Sequence, residues 1–292
     1  MAYEQLGFTA GQLVTAQQLS HMDNGIKKAQ NVKNLLDNSD FTNPVNQRGN
    51  TSITTNWAYI IDRWLSPAVS SATPISISAD GVTLHNATGT STMSLRQHIA
   101  NVPNGTYTAA ALINGLISLR VFTLTDGTIA YGAYVNHSGS QIYIDFSNST
   151  LRVHLQAFAG NAITCEWAAL YKGEYTVETL PDYVPKGYGT ELYECKRYFQ
   201  KVTSQGKFFG DTAGYAGYVY VPYEQEMRAI PTLSVTANGS LIGEQAQGLT
   251  ISSTPVAVNS STTGMTVQVP SSVESYVLCV WSEPSFTLNA DL

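Results

Sequence analysis

Charge is the scarcest ingredient of this sequence. Asp, Glu, Lys and Arg make up 12% of the 292 residues, about half the usual share. Ser, Thr, Asn, Gln and Gly stand where charge normally would, a composition common in secreted, cell-surface and virion β-proteins. The charge that is present is acidic, with 15 Lys and Arg against 21 Asp and Glu and a net of −6. No basic stripe is visible, and neutralising phosphates needs clustered Lys and Arg, so no nucleic-acid partner is expected. Cysteine is nearly missing. Cys165, Cys195 and Cys279 are scattered and odd in number, which excludes a disulfide framework. Cys165 and Cys279 sit in apolar strand contexts and are expected as buried free thiols. No run of about 18 apolar residues occurs, so membrane insertion is not expected. The first residues offer neither the basic n-region nor the apolar core of a signal peptide, so assembly in a cytoplasm is expected.

Catalytic signatures are missing too. There is no H-E-x-x-H, no C-x-x-C, no G-x-S-x-G elbow and no Gly-rich phosphate loop. The five histidines, His21, His85, His98, His137 and His154, are not at metal-ligand spacing, so neither a metal nor a cofactor is expected. Asp211-Thr212-Ala213-Gly214 approaches D-T-G but carries an inserted Ala and reads as a turn. A carboxylate pair for glycoside hydrolysis is spatial, so spacing does not test it. Asp62, Asp145 and Glu166 are its candidates, and Asp62 reads rather as an ion pair with Arg63 at the core edge beside Trp64. The expectation is a non-catalytic protein.

What is present is β-patterning and tyrosine. The length suggests about two domains, each able to bury a core. Residues 15–34 read as a helix. Thr15 and Gln18 form a capping box, and Leu19, Met22, Ile26 and Ala29 follow a 3-4-3 spacing that Leu36 could resume. So short a helix is marginal alone in water. Its stripe is expected to pack either on its own β-domain or between three copies of the chain. Residues 1–14 are either a frayed terminus or a docking segment.

Residues 35–175 read as one all-β domain, a jelly-roll-like sandwich. Strands are expected near 53–63, 73–78, 82–87, 93–99, 105–113, 116–125, 128–135, 141–147, 151–158 and 162–171. Asp80-Gly81, Asn104-Gly105 and Asp126-Gly127 are hairpin signals. Residues 176–190, marked by Pro181, Pro185, Gly187 and Gly189, read as a linker. Residues 191–292 read as a smaller β-rich domain. Its helix over 191–200 places Leu192, Cys195 and Phe199 on one face, and strands follow near 216–222, 231–237, 248–253, 256–259, 264–269, 276–282 and 285–288.

Glycan sites set aromatic rings against the apolar face of a sugar and use amide, carboxylate and guanidinium groups for its hydroxyls. Among 17 tyrosines, Tyr131, Tyr134 and Tyr143 are placed to share one face of the sandwich, with Arg120, Asn136, His137 and Gln141 close in sequence. A second concentration, Phe208–Tyr223, offers Tyr215 on a Gly-rich loop and Tyr218 on the strand after it. Core or sheet-surface packing is the commoner fate of any single tyrosine.

One long stretch carries a resemblance. Glu166, Trp167 and Leu170 in E-W-A-x-L-Y precede a Pro-bearing connection. Tyr188, Gly189, Glu191, Leu192, Cys195, Arg197, Tyr198, Phe199 and Gln200 then spell Y-G-x-E-L-x-x-C-x-R-Y-F-Q. Asn34–Trp64, with N-L-L-x-N-x-D-F and D-R-W, Met227–Val235 and Gly11–Ile26 fit the same pattern. This resembles phage and prophage tail proteins in which a carbohydrate-binding-like β-sandwich is joined to a small C-terminal β-domain. The resemblance implies a structural or receptor-binding tail protein of the virion, assembled in the bacterial cytoplasm. It implies a homotrimer, contact with neighbouring tail or baseplate proteins, and adhesion to a bacterial surface glycan or protein. It also implies that Trp57 and Trp64 belong to the core. The rival expectations are a purely architectural baseplate or fibre subunit and a carbohydrate-active enzyme.

Overall fold

The computed structural model describes residues 14–29, 32–203, 206–210, 217–237, 240–243, 250–251, 255–269, 271–272, 277–282 and 285–291. The chain is mainly β, with antiparallel sheets and, among the described residues, two helices. It divides into two compact units, Met1–Gly187 and Tyr188–Leu292.

The first unit opens with α1 (Ala16–Ala29). The capping box is formed: Thr15 N–H donates to Gln18 Oε1 at 2.9 Å, and Gln18 N–H donates to Thr15 Oγ1 at 3.2 Å. Leu19 and Met22 are 55% and 38% exposed. Ile26 and Ala29 lie in the same helix, and their side chains are outside the described residues. The helix is shorter than the expected 15–34. Asn34 Oδ1 accepts the N–H of Leu36 at 3.0 Å and that of Leu170 at 2.9 Å, local and sheet bonds that compete with a helical turn. Leu36 is fully buried in the sandwich core and does not continue the helical stripe.

Twelve strands follow: β1 (Ser52–Ile53), β2 (Ala58–Ile61), β3 (Trp64–Ser66), β4 (Ile75–Ser78), β5 (Gly81–Asn86), β6 (Met93–Ala100), β7 (Gly105–Ile113), β8 (Leu116–Thr125), β9 (Thr128–Val135), β10 (Ser140–Ser147), β11 (Thr150–Ala157) and β12 (Asn161–Lys172). They form a seven-stranded sheet, β1-β4-β5-β12-β7-β8-β9, and a five-stranded sheet, β10-β11-β6-β3-β2. One core lies between the two inner faces. It includes Ile75, Leu84, Tyr107 and Phe122 from one sheet and Trp64, Leu95, Ile144 and Leu155 from the other. Period-2 alternation explains this: along β10 and β11 the apolar Ile142, Ile144, Val153 and Leu155 point inward.

Asp126-Gly127 makes the expected hairpin between β8 and β9, with φ of 47° and 79°, the paired positive values of a type I′ turn. Asn104-Gly105 does not make one. Asn104 instead clamps that turn, with Nδ2 donating to Asp126 Oδ1 at 2.7 Å and Oδ1 accepting Asp126 N–H at 3.0 Å. The single strand expected over 53–63 is broken at Trp57, which holds a φ of 61° and donates its N–H to Ser66 O at 2.7 Å.

Two non-strand segments complete the sandwich. The pairing of β5 with β12 runs only from Asn86↔Asn161 to Val82↔Cys165, and a Cβ at Gly81 (φ 119°) would collide with the Cys165 carbonyl. Residues 34–41 take over the vacated edge. Leu35 N–H donates to Leu170 O at 3.0 Å, Ala168 N–H to Ser39 O at 2.9 Å and Phe41 N–H to Glu166 O at 2.9 Å. The same segment reaches the other sheet. Gln97 of β6 accepts Asp37 N–H at 2.9 Å and donates to Asp37 O at 2.7 Å, and Trp64 Nε1 donates to that oxygen at 3.0 Å. Burial raises the Asp37 pKa, but Arg63 at 3.4 Å and Lys186 at 3.1 Å outweigh it and hold the carboxyl below its ordinary range. The other segment is residues 176–187: of the linker expected over 176–190, this part runs as a strap over the outer face of the seven-stranded sheet, and residues 188–190 begin the next helix. Leu180 is buried there with Leu119, Val121, Ala169 and Tyr171, and Tyr183 stacks on Trp167 at 4.7 Å and 4°.

The second unit has α2 (Tyr188–Lys196) and strands β13 (Phe199–Thr203), β14 (Gly206–Gly210), β15 (Gly217–Pro222), β16 (Thr232–Ala237), β17 (Ser240–Gly243), β18 (Thr250–Ile251), β19 (Val256–Ser260), β20 (Gly264–Val269), β21 (Ser271–Ser272), β22 (Val277–Ser282) and β23 (Ser285–Asn289). The expected 191–200 helix stops at Lys196. Gln200 donates Nε2 to the Lys196 carbonyl at 2.9 Å, satisfying a terminal helix acceptor. Phe199 and Gln200 then pair with Asn289 and Leu288. Val219, Val221, Met227, Met265, Val267 and Phe286 are among the core residues. Cys165 and Cys195 are buried free thiols; the side chain of Cys279 is outside the described residues.

Asn38 (φ 51°) carries three short bonds: Nδ2 donates to Val45 O at 2.8 Å and Asp62 O at 2.7 Å, and Oδ1 accepts Val45 N–H at 2.7 Å. Replacing it with alanine strands buried carbonyls in a conformation that suits Asn. The expected loss is roughly 2–4 kcal/mol of unfolding free energy, read from urea denaturation followed by tryptophan fluorescence. A loss below about 1 kcal/mol would mean that the segment does not hold the sheets together.

Candidate binding face

The five-stranded sheet turns every second side chain outward, and in register these form rows. Tyr143 of β10 stands opposite His154 of β11, which stands opposite Arg96 of β6, then Leu65 of β3 and Tyr59 of β2. The adjacent row holds Asp145, Arg152 and His98. Tyr143 meets the His154 ring edge-on at 5.5 Å. The Arg96 guanidinium lies 4.6 Å from the centroid of Trp57, a ring left 63% exposed by its positive-φ backbone. Arg48 lies 4.3 Å over Tyr59. Past the β10 edge, Tyr131 of β9 donates its hydroxyl to the Ile144 carbonyl and lies 6.5 Å from Tyr143. Arg120 then sits 5.2 Å from Tyr131 and 4.6 Å from Tyr134. The result is an aromatic and basic belt across one outer face and around its edge.

The belt's charges are unevenly matched. Arg152 is ion-paired with Asp145, whose other oxygen lies 3.2 Å from His154 Nε2. Arg48 is paired with Asp62 at 3.5 Å. Among the described residues Arg96 and Arg120 make no hydrogen bond or ion pair, and the Nε of each is enclosed. Arg96 is only 6% exposed; burial and then the Arg152 charge hold its pKa below the usual guanidinium value. Burial lowers the His154 pKa to about 4, with Asp145 opposing and Arg96 and Arg152 assisting. His98 is also lowered to about 4, by burial and then by Arg96, Arg152, Arg63 and His154. Both imidazoles are therefore neutral at neutral pH.

Of the residues singled out from sequence, Tyr131, Tyr134 and Tyr143 come together on this belt. Asn136 follows β9 with its Oδ1 enclosed. His137 Nε2 is 3.0 Å from the Ile117 carbonyl, a tie to the start of β8. Tyr218 belongs to the second unit, where it is 60% exposed on β15 opposite Gln268 of β20. Tyr215 lies outside the described residues. Trp57, expected in the core, is on the surface; only Trp64 of that pair is buried. Trp57, Arg96 and His154 were missed. For Arg96 and His154 a signal was present as alternation: Y-x-D, R-x-H and R-x-H place Tyr143 and Asp145, Arg152 and His154, and Arg96 and His98 on one face of three strands.

The candidate carboxylates stand on separate elements. Asp62 follows β2 and binds Arg48 and Gln47. Asp145 is on the five-stranded sheet. Glu166 is on β12 and lines a groove of about 510 Å³ beneath the strap with Asp40, Asp182, Trp167 and Tyr183. Among the described residues no cluster of His, Cys, Asp or Glu could hold a metal ion. Comparison with protein-family models, characterised proteins and solved structures finds no match.

The histidines make the unit acid-sensitive. Their folded pKa values near 4 lie below the ordinary 6.5, so the unfolded chain takes up protons first as pH falls. Their stabilising effect is complete above pH 6.5 and is lost between pH 6.5 and 4. Each fully shielded histidine contributes up to about 1.4 kcal/mol per pH unit in that window; half-buried His98 contributes less because solvent screens it. His154→Gln is expected to flatten the pH dependence of the urea midpoint across this window by the larger share. An unchanged slope would exclude His154 as its source.

Proposed function

We propose that this protein is a non-catalytic receptor-binding subunit of a phage, prophage or phage-derived tail, adhering to a bacterial surface glycan through the outer face of its five-stranded sheet. The observation that carries the reading is the cross-strand row of Tyr143, His154 and Arg96, flanked by Trp57 and Tyr131. Exposed rings offer flat apolar area to a pyranose, and the guanidinium between them offers directional donors to its oxygens. Asp145, the carboxylate on this face, is held by Arg152 and His154, which suits it to orienting the row rather than to protonating a leaving group. The exposed Leu19 and Met22 on α1 support self-association as a trimer, in which three weak sites on one body gain orders of magnitude in avidity.

A second reading has its own support. Tyr218, Tyr220, Val256 and Val258 are exposed on the sheet β15-β20-β19, a surface suited to packing against a neighbouring tail or baseplate subunit in a purely architectural role.

A glycan array probed with the full chain separates these readings. Binding is expected, with Trp57→Ala and Tyr143→Ala each weakening it about 10-fold, the effect of a stacked ring worth about 1 kcal/mol or slightly more, and Tyr218→Ala leaving it unchanged. Light scattering at micromolar concentration is expected to give three chains. A trimer that binds no glycan would favour the architectural role, and release of reducing sugar would favour an enzyme.

A further inference from the structure

We infer that the ligand of this face is an acidic saccharide, carrying carboxylate or phosphate groups that Arg96 receives at the centre of the row and Arg120 at its edge; this rests on the glycan-binding reading above. Arg96 is a cation that the protein itself leaves incomplete. It is almost wholly buried, its Nε is enclosed without an acceptor, and its guanidinium lies 4.6 Å from the Trp57 ring centroid. Withdrawing a cation from water is costly unless an anion or hydrogen bonds replace the solvent, and a stacked ring offsets only part of that cost.

Asp145 attracts Arg96 through space, but among the described residues no acid of the face bonds it. Asp145 is engaged by Arg152 and His154, and Asp62 by Arg48. Arg120 repeats the arrangement. It lies between Tyr131 and Tyr134, forms no hydrogen bond or ion pair among the described residues, and has an enclosed Nε. Two unmatched, ring-braced arginines on one belt are conspicuous in a chain whose net charge is −6. Stacking fixes the plane of a guanidinium, and a fixed fork matches the paired oxygens of a carboxylate or phosphate better than a single sugar hydroxyl. The enclosed Nδ1 of His154, which has no hydrogen-bond partner, is a further polar atom in the same row.

The test uses the full chain on an array of matched pairs: uronate glycans beside their carboxyl-reduced forms, and phosphorylated glycans beside their dephosphorylated forms. At least one acidic member is expected to bind 10-fold or more tighter than its neutral counterpart, with affinity falling as salt rises. Whether that member is a uronate or a phosphate identifies the anion. Arg96→Gln is expected to abolish the acidic preference and Arg120→Gln to reduce it several-fold, while Arg96→Lys retains part of it. A melting curve confirms that each variant is folded, and Arg120→Gln carries the test if Arg96→Gln is not. Equal binding of both members of every pair, or unchanged preference in folded Arg96→Gln and Arg120→Gln, would overturn the acidic specificity while leaving glycan binding intact. Binding to neither kind of glycan would instead remove the glycan-binding reading on which the inference stands.

Discussion

Everything on the five-stranded face depends on how the backbone of Asp37 is held. Its N–H and C=O are both bonded to the Gln97 side-chain amide, and its carbonyl is bonded to Trp64 Nε1 as well. Three residues away, Asn34 reaches β12 through Ala168 O at 3.2 Å and Leu170 N–H at 2.9 Å. A few side-chain amides thus tie one sheet to the other across the end of the core. Apolar contact alone is non-directional and would tolerate sliding of the layers. Buried amides do not, because each displaced bond strands a polar group away from water. Gln97 points inward between Arg96 and His98, so the bond that locks Asp37 also fixes which residues of β6 face out.

Register carries that constraint to the surface. Slipping β11 by one residue would send His154 into the core and Val153 into solvent, so the buried set Val153, Leu155, Ile142 and Ile144 specifies the row above it. The outer groups then hold one another through ring contacts and the Asp145–Arg152 ion pair. The opposite sheet is arranged differently. Its outer face carries Leu119, Val121 and Tyr171, and the strap with Leu180 and Tyr183 covers them. One broad side of the sandwich is covered by the strap, and the other is chemically diverse, with exposed Trp57 and Tyr143 beside the buried Arg96 and His154.

Much of this was legible before any coordinates. The strands at 105–113, 116–125 and 128–135 were readable because period-2 alternation and the Asp126-Gly127 turn agree. Boundaries failed where side-chain amides took over backbone bonds: Asn34 ends the helical reading early, and Gln200 closes α2 at Lys196. The strap read as a linker because its prolines and glycines signal loop, whereas the burial of Leu180 arises from tertiary packing. For the candidate site, tyrosine clustering led to Tyr131, Tyr134 and Tyr143. Trp57 was lost because the resemblance implied a core position for it and a positive φ at tryptophan has no sequence signature. Arg96 and His154 were lost for another reason: their partners lie on other strands, and cross-strand register is not written in local spacing.

The division of labour along each strand has an evolutionary consequence. Inward positions on β6, β10 and β11 maintain the fold, and the outward positions interleaved with them range from the buried Arg96 and His154 to the exposed Tyr143. A lineage under changing selection can exchange outward residues with little compensating change in the core beneath. Such a surface can diversify quickly on an unchanging frame, and two relatives with the same skeleton can present different chemistry.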